Sequence, residues 1–333
     1  MARDSCSVKG AEVSPLDSFS KLLLEKHERP DTISPEAIAE EWVAHSGLSA
    51  LPSLSEIHRQ LESYGLSLQQ AAMPGLRGHH YCYRGGDPTI LYEDADWRGA
   101  VEFTLLHEFY EVILDRLCGH PRRNEALPKA ESCWQANRFA AAVLMQKNIF
   151  LQALHESHFD IVWMHRHFYR SYSAIAIRAV EVLNGIADSR RKELACAVYN
   201  RSGEPGDWRL SPPDEDFALR NEFRVGCAVY TSGLRLGKGG YPAHLMPKKG
   251  DGVLPGSIVE LALSTGRPVL LRKATGFDAA GEKDLALLAR PVSWFNKPSK
   301  VILEAMRLED GYILEVQAKP LRPKVVSESY QRL

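Results

Sequence analysis

The stretch Phe103 to Leu117, FTLLHEFYEVILDRL, constrains this chain more than any other, because an apolar stripe at helical spacing carries three chemically active side chains. Phe103, Leu106, Tyr110, Ile113, Leu114 and Leu117 recur at three- and four-residue intervals, which predicts an α-helix with one face in a core. His107 and Glu111 stand at i and i+4, one turn apart, so an imidazole and a carboxylate can meet at one point. Glu108 sits beside them. Gly119, His120 and Pro121 then supply a left-handed cap and a breaker that should end the helix.

In zinc peptidases the helical motif H-E-x-x-H places two metal ligands at i and i+4, and the Glu after the first His acts as base. The run here is His107-Glu108-Phe109-Tyr110-Glu111, with Glu at the place of the second His. A carboxylate binds zinc at a similar length, so the change alters the charge and softness of the site while keeping its logic. The competing reading is a solvated helix face, where an HE pair followed by Glu arises by chance. A second motif must choose between them.

A chain of 333 residues exceeds what one core usually holds, so two or three domains are expected. The 41 basic and 42 acidic residues are interspersed and nearly cancel, which removes any bulk electrostatic argument for nucleic acid. No run approaches the roughly 18 apolar residues of a membrane span, and the first residues lack a signal-peptide apolar region, so a soluble cytoplasmic protein is predicted, with no membrane partner. Cys6, Cys82, Cys118, Cys133, Cys196 and Cys227 form no C-x-x-C pair, which predicts free thiols.

Along the chain, residues 1–33 read as a tail with one short helix around Leu16 to His27. Ser34-Pro35 opens a helix that buries Ile38, Trp42 and Val43 and stops at Ser46-Gly47. Ser53 and Glu56 have capping-box spacing ahead of Ile57, Leu61 and Tyr64. HHYCYR and TILYE flank Gly85-Gly86-Asp87-Pro88 as a hairpin. After the His-Glu helix comes a second helical run, Glu131 to Met145, whose Trp134, Phe139, Val143 and alanines predict close packing against the first.

FTLLHEF followed by ANRFAAAVLM resembles the ImmA/IrrE family of metallopeptidases, whose members read approximately FTLAHE and then E-x-x-AN-x-FAA-x-LMP. The resemblance implies a small zincin-like helical and hairpin peptidase domain holding Zn2+, with Mn2+ or Fe2+ as replacements. It implies Glu108 as catalytic base, His107 and Glu111 as metal ligands, and an acidic third ligand just before the AN segment. In such domains the edge strand beside the site can hold an extended peptide by strand addition. This chain departs from the pattern at the metal: Glu111 replaces a His, and Cys133 stands where the family's acidic ligand aligns, with Glu131 displaced by two residues, about 200° round a helix. Cys133, one turn before Asn137, has the better geometry; Glu131 has the better chemistry. Gln135, one turn from Glu131 and on its face, is a third candidate but a poor ligand, and Cys133 is favoured over Glu131.

Residues 148–195 read as a helical helix-turn-helix-like segment, in which Ile175, Ala179, Val180 and Leu183 point inward. Only Arg170, Arg178 and Asn184 are available to read a DNA groove, which favours a structural role over direct DNA binding. The run His155, His158, His165 and His167, with Glu156 and Asp160, reads as a solvated face rather than a second metal site. Gly- and Pro-rich residues 196–214 read as hairpin and linker. Residues 215–333 turn to short β runs, and Gly256 to Leu271 resembles part of a GAF domain, implying a sensor with a small-molecule ligand. Gly233 to Gly239 lacks the spacing of a phosphate loop and reads as a turn.

The expected fold is therefore α+β, with a peptidase-like domain over 34–147, the helical segment, the linker and the GAF-like domain. Two functions follow from the resemblance. One is a zinc endopeptidase that cleaves a helix-turn-helix repressor in a stress response under control of its C-terminal domain. The other is a regulatory or binding module, acting in transcription regulation, that keeps the scaffold with impaired catalysis, since Glu for His weakens the metal as a Lewis acid.

Overall fold

The computed structural model describes residues 14–27, 33–73, 76–82, 87–93, 97–118, 129–157, 159–186, 194–201, 222–231, 248–278, 281–294, 297–307 and 324–326. The chain divides into two compact units, Met1–Gln146 and Lys147–Leu333. Among the described residues, nine helices and two sheets make the fold α+β, as the sequence predicts. The Gly119 cap, residues 202–214 of the expected linker and the Gly233–Gly239 turn lie outside the described residues, while residues 196–201, read as linker, belong instead to a buried strand, Leu194–Arg201.

The first unit is built around one helix. Its elements are α1 (Pro15–Lys26), α2 (Pro35–Ser46), α3 (Leu54–Ser63), β1 (Ser67–Gln70), β2 (Gly78–Tyr81), β3 (Thr89–Tyr92), α4 (Arg98–Cys118) and α5 (Lys129–Leu144). Local chemistry sets the helix starts: Ser14, Ser34 and Ser53 each accept a hydrogen bond from the amide three residues on. Gly47, at φ 68, ends α2 in the left-handed conformation that a side chain would strain. Glu56 does not complete the expected capping box; its carboxylate takes the amide and hydroxyl of Ser49 instead, at 2.6 and 2.8 Å.

Helix α4 contacts α1, α3, α5, β2 and β3. One apolar stripe is therefore too narrow a description. Leu105, Phe109 and Val112 are buried along with Leu106, Tyr110, Ile113, Leu114 and Leu117, while Phe103 is only half-buried. Phe109, Trp42, Tyr64 and Phe139 form tilted and edge-on aromatic pairs at 4.9 to 6.2 Å, a geometry that adds about 0.5–1.5 kcal/mol per pair beyond area burial. The helix expected near Leu16 forms as α1 and packs Leu16, Phe19 and Leu23 into this core.

The packing of α5 differs from expectation at Trp134. Ala136, Phe139, Ala140 and Val143 form the buried stripe, and Trp134, two residues before it and about 200° away, faces out at 52% exposure. Its ring lies under the Arg138 guanidinium at 4.4 Å.

The small sheet has the order β1-β3-β2, with β1 parallel and β2 antiparallel to β3. The β2–β3 pair is the predicted hairpin. Polar β1, SLQQ, carries no alternating apolar signal and escapes sequence reading.

The second unit holds α6 (Lys147–Glu156), α7 (Ile161–Phe168), α8 (Tyr172–Asn184), β4 (Leu194–Arg201), β5 (Phe223–Tyr230), α9 (Ile258–Thr265), β6 (Val269–Asp278), β7 (Gly281–Trp294), β8 (Lys297–Arg307) and β9 (Lys324–Val326). Its sheet runs β5-β4-β8-β7-β6-β9 and is antiparallel except for β9 beside β6. Ala195, Ala197, Tyr199, Val225, Ala289, Val301 and Leu303 share one core with Ile258, Val259, Ala262 and Leu263 of α9. The helix, Thr-Gly turn and strand read from Gly256 to Leu271 are present as α9, Gly266 at φ 62, and β6.

Helices α7 and α8 form the short-helix, turn, long-helix pattern, capped by Asp160 and Ser171. Arg170 and Arg178, two of the three side chains available for groove reading, are buried. The solvated face holds for His155 and His167 but not for His165, which stacks on Tyr172 at 4.0 Å, nor for Asp160. Tyr169 ends α7 at φ 55, a left-handed backbone costing a side-chain-bearing residue roughly 1–2 kcal/mol, and the residue is 49% exposed. Tyr169→Gly should therefore raise stability by about 0.5–1 kcal/mol in urea unfolding; a fall in midpoint would show that the ring contributes more than the backbone costs.

Candidate functional site

The site grows from α4 meeting β2 on one side and α5 on the other. Gly78 opens β2 where only a glycine fits: a Cβ there would stand 2.3 Å from Thr104 Cγ2 and 3.1 Å from Glu108 Cγ. The close approach brings the next strand residues onto the helix. His80, two positions on and so on the same face of the strand, donates from Nδ1 to Glu108 Oε2 at 2.8 Å, while its Nε2 lies 3.5 Å from Asp115 Oδ2. Glu108 and Asp115 are seven residues apart, two turns along one face of α4, so one imidazole bridges both.

This charge arrangement has a clear direction. Burial works to lower the His80 pKa, and the hydrogen bonds and charges of Asp115 and Glu108 overcome it, pushing it up to about 9. His80 is therefore an imidazolium at neutral pH, and Glu108 is the carboxylate that faces it.

On the α5 side, His107 Nδ1 lies 3.0 Å from Asn137 Oδ1. An amide oxygen can only accept, so Nδ1 carries a proton, and in the neutral ring Nε2 then holds the lone pair. Tyr110 donates to Gln135 Oε1 at 3.4 Å, so both the Asn137 row and the Gln135 row of α5 meet α4. Cys133 is a half-buried free thiol one turn before Asn137. The side chain of Glu131 lies outside the described residues.

Zinc is the metal the sequence resemblance implies, and the donors fit it incompletely. The lone pair on His107 Nε2 suits a metal ligand, because metal-bound histidines hold their other nitrogen in such a hydrogen bond. Yet among the described residues no three His, Cys, Asp or Glu side chains gather as a metal centre requires. In the histidine run, His167 stacks on Trp163 at 4.7 Å and His155 meets the Phe159 ring edge, while His158 lies outside the described residues.

Three participants escaped the sequence reading. His80 lay inside a stretch read only as a β-strand, and Asp115 inside the apolar helix. The available signal was the acidic row Glu108, Glu111, Asp115 at i, i+3 and i+7, which calls for a cation from a neighbouring element. Gly78 gave no such signal.

A helix bearing His107, Glu108 and Glu111, flanked by an edge strand and by a helix with an AN-x-FAA run, is the framework of a metallopeptidase domain. Residues 61–180 match the family model described as Peptidase_M78, IrrE N-terminal-like domain, which identifies this segment as an IrrE-like peptidase domain. The match runs from the end of α3 through α8. Among solved structures, a Mycobacterium tuberculosis transcriptional regulator shares the fold at a TM-score of 0.52 and 10% identity, over 95% of this chain and 89% of that one. A comparison with curated proteins returns no match. No described helix is long and apolar enough to cross a membrane.

Proposed function

We propose that this chain is an IrrE-type regulatory protein that uses the metallopeptidase scaffold to bind a protein segment in the control of gene expression, with hydrolysis impaired. The observation that carries this reading is the engagement of Glu108. A general base for water attack must hold an available lone pair near a metal-bound water. Here Glu108 faces the His80 imidazolium, and Glu111 brings a further negative charge in place of a neutral histidine. The fold shared with a transcriptional regulator along nearly the whole chain supports a regulatory role. Strand β2 is at the edge of its sheet beside Glu108, so an extended segment of the partner would add there. The C-terminal sheet and α9 are proposed to form a GAF-like sensor for a small molecule.

The second reading is a zinc endopeptidase that cleaves a helix-turn-helix repressor in a stress response, controlled by the C-terminal domain. The His107–Asn137 hydrogen bond favours it, because it leaves Nε2 in the state a metal ligand needs.

One experiment separates the two. New protein N-termini are quantified by mass spectrometry in cells expressing wild type or Glu108→Gln, alongside zinc content of protein purified without chelator. The regulatory reading expects the same termini in both. A terminus that appears with wild type and vanishes in Glu108→Gln establishes the endopeptidase.

A further inference from the structure

Around α7 the second unit carries an arrangement that the proposed function does not use. Arg290 on β7 and Glu304 on β8 are diagonal neighbours on the sheet face opposite the α9 core: Arg290 pairs with Ile302, and Glu304 with Leu288 and Cys196. Glu304 is fully buried. Its Oε1 accepts the amide of Ile161, the first residue of α7, at 2.9 Å, and its Oε2 is paired with Arg290. The same guanidinium donates to Asp160 Oδ1 at 2.7 Å, and that oxygen also caps α7 by accepting the Trp163 amide at 2.7 Å. One cation and two carboxylates, Glu304 fully buried and the other two half-buried, thus fasten the N-terminus of a helix to two adjacent strands.

The backbone on both sides of α7 is unusual. Phe159 at φ 62 and Tyr169 at φ 55 are the two non-glycine residues with positive φ among the described residues, and they bracket this one eight-residue helix. Large side chains rarely adopt that conformation, so each is held there against its preference. Sequence position adds meaning. Helix α7 lies inside the family segment, which ends at residue 180, and β7 and β8 lie beyond it.

We propose that α7 is a latch helix, hinged at Phe159 and Tyr169 and fastened to the C-terminal sheet by the Asp160–Arg290–Glu304 junction, whose release frees the helix from β7 and β8. The device is two-state by construction. Removing one partner from a buried ion cluster leaves an uncompensated charge, so the junction is either closed or abandoned. Opening also relaxes two strained residues. A ligand or partner that draws Arg290 away from its carboxylates would thereby change the family segment through the sheet.

Amide hydrogen exchange by mass spectrometry on the full chain tests this. Glu304→Gln keeps an acceptor for the Ile161 amide but loses the charge, and Arg290→Met removes the bolt. Both should speed exchange across residues 161–168 at least tenfold, Arg290→Met more, while α9 and the β6–β7 pair keep wild-type rates. Tyr169→Gly, which relieves one hinge and keeps the junction, should slow α7 exchange below wild type. A uniform rise across α9 and the sheet would show a merely structural contact and overturn the latch. So would unchanged α7 exchange in Glu304→Gln, or α7 exchange in Tyr169→Gly that is equal to or faster than wild type.

Discussion

Raising the pH from 6 to 10 should erode the stability advantage of wild type over His80→Asn by roughly 3 kcal/mol, the energy of a shift from 6.5 to about 9. The sign follows from which state holds the proton more tightly. His80 has a folded pKa above its unfolded value, so its contribution is fully present below about pH 6.5 and is lost as pH rises through 9. Titrating groups outside the His80, Glu108 and Asp115 cluster affect both proteins alike and cancel in the difference. Urea unfolding at a series of pH values measures it. A constant gap between the two proteins would mean that His80 is neutral in the fold and that Glu108 has no cation beside it.

Gly78→Ala should destabilise the chain by about 1–3 kcal/mol, the range for forcing a methyl into a packed site. The new Cβ would lie 2.3 Å from Thr104 Cγ2, on a β-branched side chain 8% exposed, whose stiff χ1 leaves little room to yield. The same methyl would come within 3.2 Å of Glu108 Oε1, so the strand must lift and carry His80 away from its carboxylates. A drop in the His80 pKa, read by NMR titration of the imidazole, should accompany the loss of stability. A stable Gly78→Ala with an unchanged imidazole titration would place β2 farther from α4 than described.

How much of this could be read in advance depended on whether the signal was local. Helix boundaries were legible wherever a cap announced them, as at Ser34-Pro35, Gly47 and Ser53, because capping is decided within four residues. The hairpin of β2 and β3 was legible from its turn. The packed face of α5 was not, since Trp134 is apolar enough to suit a core and only the 3.6-residue phase set by Ala136, Phe139 and Ala140 turns it outward. Strand β1 was invisible because SLQQ, mostly exposed, carries no alternating apolar pattern. At the site, His107, Glu108 and Glu111 share one helix and announce themselves by spacing. His80 reaches Glu108 from a strand 28 residues earlier, and no periodicity links two such positions. The Arg290–Asp160 pair, 130 residues apart, was hidden for the same reason.

The strand order of the larger sheet bears on how this protein is made in the cell. β4, with Leu194 to Tyr199 buried on both faces, pairs on one side with β8, and its Asn200 finds Lys300 a hundred residues later. At about 5–20 residues per second, a ribosome takes roughly 5–20 s to deliver that partner. Until then an apolar run with an unsatisfied hydrogen-bonding edge waits at the tunnel exit, the kind of surface that recruits chaperones or neighbouring nascent chains. Slower synthesis between residues 201 and 297 should therefore lower the yield of soluble protein, whereas the first unit, whose β1–β3 pairing closes within 22 residues from Ser67 to Thr89, is complete before that wait begins.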